Sequence, residues 1–158
     1  MTEQATGMAV RTSVTVEVPQ RRAFTVFTEE FETWWPRDHH IGDVPPEAEV
    51  IELREGGRMY ERAPDGTECD WAKVLAYEPP ERFVIGWLLD AEFDYDPELM
   101  TEVEIRFIPE GPSTTRVELE HRGLEIFGDQ AAKVRDAISA PDGWGGILRR
   151  FAEVAEAA

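Results

Sequence analysis

Few residues of this 158-residue sequence combine reactive side chains with a spacing that suggests a site. His121 ends a segment in which Thr115, Val117 and Leu119 share its face, so strand alternation points its imidazole toward the core. Such a histidine either hydrogen-bonds a ligand or acts as a general base, or it is a core residue whose polar atoms the protein itself satisfies. Alternation alone does not decide between these roles.

A second candidate lies in the short predicted strand Arg58–Ala63. Tyr60 and Arg62 share one face of this strand. Met59 and Glu61 share the other. An inward Arg62 would suit a ligand that carries a carboxylate, whereas an inward Glu61 would suit acid–base chemistry or an amine. Both orientations stay open, and Tyr60 is a candidate for orienting a ligand.

Two loops have the residue types of metal sites without the spacing. The loop Arg37–Pro46 contains Asp38, His39, His40 and Asp43, but adjacent histidines point apart and match no zinc pattern. The loop Asp90–Met100 spaces its carboxylates as a calcium loop does, yet it has Tyr95 where glycine is required. We therefore expect no metal and no cofactor, and we interpret Asp90–Met100 as a solvated flap over a cavity.

Tryptophans form the most informative set, because each large ring brings an N–H group that needs a partner when it is buried. The five are Trp34, Trp35, Trp71, Trp87 and Trp144. Each either belongs to the core or lines a cavity. Three glycines flank Trp144: Gly143, Gly145 and Gly146. Glycine disfavours a helix, so its presence here needs a reason. Either the close approach of another backbone or room for a ligand would explain these glycines.

The chain is strongly acidic, with 33 acidic and 16 basic residues and a formal charge of −17. That charge repels phosphate backbones and anionic membrane surfaces, so we expect no nucleic-acid partner. No run approaches the roughly 20 apolar residues of a membrane span, and the first residues lack a signal-peptide pattern. With a single cysteine, these features predict a cytoplasmic protein without membrane insertion. The length suits one domain over residues 1–158.

The elements that must position these residues run from strand to helix to strands. Arg11–Val18 alternates as a half-buried strand. Pro19 to about Trp35 has helical spacing, as one helix or two short ones. Six short strands between residues 49 and 121 are separated by turn signals, which predict an antiparallel meander. Glu125–Ile138 has helical character.

The last segment, Pro141–Ala157, organises the rest of the chain. Its apolar residues recur at the i, i+3, i+4, i+7 spacing of one helical stripe; they are Trp144, Ile147, Leu148, Phe151, Val154 and Ala155. A helix of this length needs a hydrophobic surface to pack on. Folding the meander over the helix buries both apolar faces, which is an α+β solution. A curved sheet around a helix usually leaves a space between them.

Several short motifs, in this order and spacing, resemble SRPBCC proteins. They are Trp34-Trp35, Glu55-Gly56-Gly57, Asp65-Gly66, Val74-Leu75, Pro79-Pro80-Glu81-Arg82-Phe83, Trp87, Thr115-Arg116-Val117, His121-Arg122-Gly123-Leu124 and Gly143-Trp144, after a strand and a proline-led helix. The branch resembled is named after the activator of Hsp90 ATPase, within the START and Bet v 1-like superfamily. The similarity covers roughly residues 11 to 156. Ala72 departs from the pattern, since relatives often carry glycine after this tryptophan.

The resemblance implies a helix-grip fold, with about seven antiparallel strands curved around a long C-terminal helix and a cavity for an apolar or aromatic small molecule. It implies less about activity, because members include lipid carriers, aromatic-polyketide cyclases and hormone receptors. The candidate ligand-binding residues are Trp34, Trp35, Tyr60, Trp71, Trp87, His121, Trp144, Leu148 and Phe151.

Three functions stay open for such a protein. It binds a small hydrophobic or aromatic molecule, or it is a cyclase or dehydratase that uses the same cavity, or it is a protein-interaction module like the Hsp90 activator. A solid interior would favour the third function and an open cavity the first two. A homodimer and a protein partner are also left open.

Overall fold

The computed structural model describes residues 9–36, 39 and 44–157. Seven strands are present: β1 (Ala9–Val16), β2 (Ala48–Ile51), β3 (Arg58–Arg62), β4 (Glu68–Glu78), β5 (Arg82–Trp87), β6 (Thr101–Gly111) and β7 (Thr114–Arg122). The α-helices are α1 (Gln20–Glu29), α2 (Phe31–Trp34), α3 (Ala131–Ile138) and α4 (Trp144–Ala157), and a 3₁₀ segment, Leu124–Gln130, precedes α3. Among the described residues, no helix has the length and apolar character needed to cross a membrane.

All seven strands belong to one antiparallel sheet with the order β1-β7-β6-β5-β4-β3-β2. The strands from β2 to β7 form the predicted meander, and β1 returns to the far side, where Val14 lies opposite Val117. The terminal helix α4 packs on the inner face together with α1 and α2. The predicted α+β helix-grip architecture is therefore confirmed.

The two N-terminal helices form where the apolar spacing predicts them. Pro19, with φ of −63°, precedes the first residue of α1, where its missing N–H disrupts no helical hydrogen bond. Phe24 and Phe27 are buried on α1, and Phe31 and Trp34 are buried on α2. Their rings fill the space between the sheet and α4.

One half of the interior is solid. The ring of Phe151 on α4 lies 5.2 Å from that of Phe27 and 5.5 Å from that of Trp34, measured between centroids. Leu148, on the same buried face of α4, is 1% exposed. The Trp34 indole is fully buried, and it donates its N–H to the Val26 carbonyl at 3.1 Å. Any open space must therefore lie toward the other end of α4, where Trp144 begins the helix.

A β-bulge in β4 changes which side chains face inward. Met59 pairs with Ala72 and Tyr60 pairs with Asp70, so Trp71 is an extra residue in this strand. Because a bulge places two residues against one, simple alternation fails here. Trp71 and Ala72 are consequently both buried.

The helical segments before and at the C-terminus differ in detail from the prediction. Glu125–Ile138 is not one helix, because Gly128, with φ of +58°, separates the 3₁₀ turns from α3. The terminal helix begins at Trp144 rather than at Pro141. A Cβ at Gly143 would overlap the carbonyl of Ile138, so close backbone approach explains this glycine.

The outer face of the sheet carries ion pairs. Glu104 is only 6% exposed, and its carboxylate lies 2.6 Å from both Arg82 and Arg122 and 3.1 Å from Arg106. Burial alone would raise the pKa of this carboxyl, but hydrogen bonds from Arg82 and Arg122 outweigh it and lower the pKa. The chain thus stabilises a buried charge on the outer face with three arginines.

Candidate functional site

A cavity of about 390 Å³ lies at the N-terminal end of α4. It is lined by four tryptophans, Trp35, Trp71, Trp87 and Trp144, which we call the tryptophan wall. The opposite side is made by small or aliphatic residues of α3 and the turn after it, including Ala137, Ile138 and Ala140. The cavity is partly open to solvent.

The tryptophan wall is a closed cycle of ring contacts. Trp35 and Trp71 stack at 5.3 Å between centroids with 21° between their planes. Trp71 then meets Trp87 edge-on at 5.7 Å, and Trp87 meets Trp144 at 5.6 Å. Trp144 and Trp35 close the cycle at 6.0 Å. Each ring supports its neighbours, so the wall is stiff and largely apolar.

Two indole N–H groups of the wall donate to described residues, and the other two donate to no residue that the structure describes. Trp35 donates to the carbonyl of His39 at 3.1 Å, and Trp144 donates to Nδ1 of His121 at 3.0 Å. Trp71 and Trp87 donate to none of the described residues. The wall therefore contains both satisfied and unused donors.

His121 is fully buried behind the tryptophan wall. Its Nδ1 accepts the N–H of Trp144, so the neutral ring carries its proton on Nε2 and donates it to Thr101 Oγ1 at 2.7 Å. Burial lowers the pKa of this imidazole to about 3. Both nitrogens are occupied and the ring does not line the cavity, so His121 is a satisfied core histidine that holds Trp144 in place.

Glu61 faces the interior, as does Met59 on the same face of β3. Met59 and Glu61 are 0% and 3% exposed, and the Glu61 side chain lines the cavity. Tyr60 lies on the other face, where the guanidinium of Arg58 sits 4.1 Å above its ring. Of the two orientations that the sequence left open, the structure has the one that suits acid–base chemistry or an amine. Tyr60 does not reach the cavity.

Three other residues predicted to contact a ligand belong to the solid half of the core. Trp34, Leu148 and Phe151 are almost completely buried, and none of them lines the cavity. Trp34 and Trp35 are adjacent in the chain, yet α2 ends between them and their rings enter different spaces. Of the nine predicted residues, the structure thus brings only the four members of the tryptophan wall to the cavity.

The acidic loop after β5 supplies residues that the sequence analysis missed. Leu89 and Phe93 line the cavity, and Phe93 has a φ of +65° in a tight turn. Asp90 Oδ1 accepts the backbone N–H groups of Glu92 and Asp94 at 2.9 and 3.0 Å, which stabilises that turn. Phe93 could have been found in the sequence, because it lies within a run of carboxylates and an apolar ring in a polar loop usually packs against other apolar residues.

Polar groups at the cavity are few. His39, Glu61 and Asp142 line it, and His39 is half-buried. The remaining residues of the histidine-containing loop, Asp38, His40 and Asp43, lie outside the described residues. The arrangement is an aromatic chamber with an internal carboxylate, which can hold a flat apolar molecule and exchange a proton with it.

A scan against protein-family models finds no match for this chain, and a search among curated proteins finds none. Solved structures do match. The anthrahydroquino-gamma-pyrone synthase Txn09 is 36% identical, with 92% of this chain and 96% of that chain covered and a TM-score of 0.64. The self-sacrificing resistance protein CalC from Micromonospora echinospora is 32% identical, with 94% of each chain covered and a TM-score of 0.71.

A protein from Mesorhizobium loti is similar in fold alone, at 20% identity, with 96% of this chain and 98% of that chain covered and a TM-score of 0.69. The identity to Txn09 and CalC extends over nearly the whole of both chains, and the architecture is common to them. The chain therefore belongs to the Bet v 1-like and polyketide-cyclase-like group of SRPBCC proteins.

Proposed function

We propose that this protein binds a flat aromatic small molecule in the cavity beside the tryptophan wall. The observation that carries this proposal is the closed cycle of four indole rings that lines one side of an open space of about 390 Å³. Binding sites for small molecules usually measure about 300–1,000 Å³ and combine apolar walls with a few polar groups. The cavity has that size and that composition.

The geometry of the wall favours a planar ligand. Stacked and edge-on ring pairs each contribute roughly 0.5–1.5 kcal/mol beyond the burial of their area, so a flat ring that contacts several indoles gains several such contacts. An aliphatic molecule of equal volume gains only the free energy of burying its apolar surface. The wall therefore discriminates by shape and by ring chemistry.

Blocking the cavity from α3 tests this proposal. Ala137 lines the cavity yet is exposed, so Ala137→Phe adds a ring at the cavity without disturbing the core. We expect this variant to bind fluorene, a tricyclic hydrocarbon, at least tenfold more weakly than the wild type in equilibrium dialysis. Ala132→Phe is the matched control, because Ala132 is exposed on the same helix and does not line the cavity.

Two outcomes would contradict the proposal. Wild-type protein that binds neither fluorene nor its ketone, fluorenone, has no functional aromatic site. Equal binding by the Ala137→Phe and Ala132→Phe variants would place any binding elsewhere. Native mass spectrometry of freshly purified protein adds an independent test, because a ligand retained from the cell appears as a fixed mass increment that Ala137→Phe abolishes.

A second candidate function is cyclase-type acid–base catalysis in the same cavity, and the inward Glu61 favours it. A carboxylate beside a bound aromatic molecule is placed to remove a proton from a carbon next to a carbonyl group or from a phenol hydroxyl group. Txn09, at 36% identity, is named as a synthase of a pyrone ring, which supports this candidate.

The test uses 1-(2-hydroxyphenyl)butane-1,3-dione, which closes to 2-methylchromone and releases water. We expect the wild type to accelerate this closure and Glu61→Gln to slow it about a hundredfold while still binding the product. Tyr60→Phe, on the outward face of the same strand, should leave the rate unchanged. Equal rates for the wild type and Glu61→Gln would remove the catalytic candidate and leave ligand binding intact.

The finer assignments remain proposals. Membership of the branch named after the activator of Hsp90 ATPase rests on the motif resemblance. The interaction-module function that this branch suggests is less well supported, because that function predicted a solid interior and the interior contains a cavity. Cytoplasmic localisation, the absence of a nucleic-acid partner and the oligomeric state stay predictions from the sequence.

A further inference from the structure

Two indole N–H groups of the tryptophan wall, those of Trp71 and Trp87, donate to no described residue, so they indicate which chemical groups a ligand of this cavity has. We propose that Trp71 and Trp87 select a ligand with a neutral carbonyl oxygen, to which they donate their indole N–H groups. This inference rests on the proposed function, since it names the chemistry of the aromatic molecule that the cavity takes.

The indole nitrogens of Trp71 and Trp87 have no hydrogen-bond acceptor among the described residues. Trp71 and Trp87 are 4% and 6% exposed, and a buried indole N–H normally finds a partner. No described residue accepts from either nitrogen, and neither nitrogen is among the fully enclosed polar atoms of the described chain that lack a partner. Both nitrogens therefore keep accessible surface, and both residues line the cavity.

The other two tryptophans of the wall differ from this pair. Trp35 and Trp144 donate to His39 and His121, so they offer a ligand only their carbon surface. Trp71 and Trp87 are neighbours, with ring centroids 5.7 Å apart and planes at 84° to each other, and both rings line the cavity, so a flat ligand that lies against this part of the wall contacts both residues. Two rings of the wall thus offer a ligand only carbon surface, and the other two also offer an N–H donor.

The charge of the cavity bears on the acceptor as well. Glu61 and Asp142 line the same cavity, and the chain has a formal charge of −17. These negative charges disfavour a carboxylate or phosphate in the cavity. A ketone or quinone oxygen accepts hydrogen bonds without adding charge. An aromatic molecule without any acceptor would cover both N–H groups and leave them unsatisfied, which lowers its affinity about tenfold.

Fluorenone and fluorene form a matched probe pair, because they share one tricyclic shape and differ in the carbonyl oxygen. We expect wild-type protein to bind fluorenone about tenfold more tightly than fluorene. Trp71→Phe and Trp87→Phe each keep an aromatic ring and remove one donor, so each should reduce that preference about threefold to fivefold. The carbonyl stretch of bound fluorenone should lie at lower frequency in the wild type than in either variant.

Trp144→Phe is the control, because this ring also lines the cavity but its N–H already belongs to His121. It should weaken both probes equally and leave the preference unchanged. If phenylalanine at position 71 or 87 prevents folding, 3-benzothienylalanine at that position removes the N–H while keeping the bicyclic shape.

Several results would overturn the inference. Equal affinity of the wild type for the two probes does so, as does a preference that survives both donor-removing variants; in either case the proposed function stands. A preference lost equally in Trp144→Phe would assign it to ring packing rather than to the donors. If neither probe binds, the proposed function and this inference fail together.

Discussion

Acidification should destabilise this protein through His121, and the size of the effect follows from burial of the ring. The folded state holds the imidazole neutral with a pKa of about 3, whereas the unfolded chain has the ordinary value of 6.5. The unfolded state therefore takes up the proton first as the pH falls. The contribution of His121 to the free energy of unfolding is complete above pH 6.5 and is lost progressively between pH 6.5 and 3.

The loss amounts to about 1.4 kcal/mol per pH unit within this window, or about 3 kcal/mol between pH 7 and pH 4. The assay is urea unfolding followed by tryptophan fluorescence at several pH values. His121→Gln is the comparison, because glutamine retains an acceptor for Trp144 and a donor for Thr101 but does not titrate. Subtracting the free energy of unfolding of His121→Gln from that of the wild type at each pH cancels the contribution of the carboxylates that both proteins share.

Parallel stability curves for the wild type and His121→Gln would refute this reasoning. A second measurement examines the ring directly. Nitrogen-15 spectra should show the proton of His121 on Nε2 and no titration of this ring above pH 4, since Nδ1 accepts from Trp144. A resonance of His121 that titrates near pH 6.5 would contradict the buried, neutral ring.

Three further predictions concern the framework around the site. Trp34→Ala should lower the free energy of unfolding by about 3–5 kcal/mol in urea denaturation, because the indole is fully buried in the solid half of the core. Glu104→Gln should lower the free energy of unfolding by about 2 kcal/mol at pH 7, whereas Glu118→Gln, at a half-buried carboxylate on the same sheet, should change it by less than about 0.5 kcal/mol. The Glu104 difference should narrow below pH 4.5, because the pKa of that carboxyl is lowered in the folded state and its contribution is lost on protonation. Gly143→Ala should destabilise the protein by about 1–3 kcal/mol and weaken fluorene binding, since the added Cβ meets the Ile138 carbonyl and displaces the start of α4; unchanged stability would contradict the close approach.

The fold was predictable because its determinants are periodic. The stripe of α4 and the turn signals between the strands each repeat a local rule, and they agree with one another. Strand alternation also placed His121 on the inner face correctly. Its partner could not be predicted in this way, because Trp144 lies 23 residues further along the chain and only the fold brings the two rings together.

The site was only partly predictable, for reasons that particular residues show. The strand containing Tyr60 and Glu61 has a long polar side chain on each face, so its pattern could not reveal the inner one. Trp71 faces inward through a bulge, which breaks the period of two on which strand arguments depend. Trp34 and Trp35 are separated by the end of α2, and a boundary error of one residue decides which of them reaches the cavity.

The two sides of the chamber differ in how freely they tolerate change. The four indole rings contact one another in a cycle, and Trp144 is also hydrogen-bonded to His121, so a substitution that removes a ring from the cycle leaves its neighbours without packing partners. The α3 side consists of short side chains such as Ala137 and Ala140, which leave the framework intact when they are exchanged. Single substitutions on that side can therefore change which ligand fits the cavity without replacing any ring of the tryptophan wall.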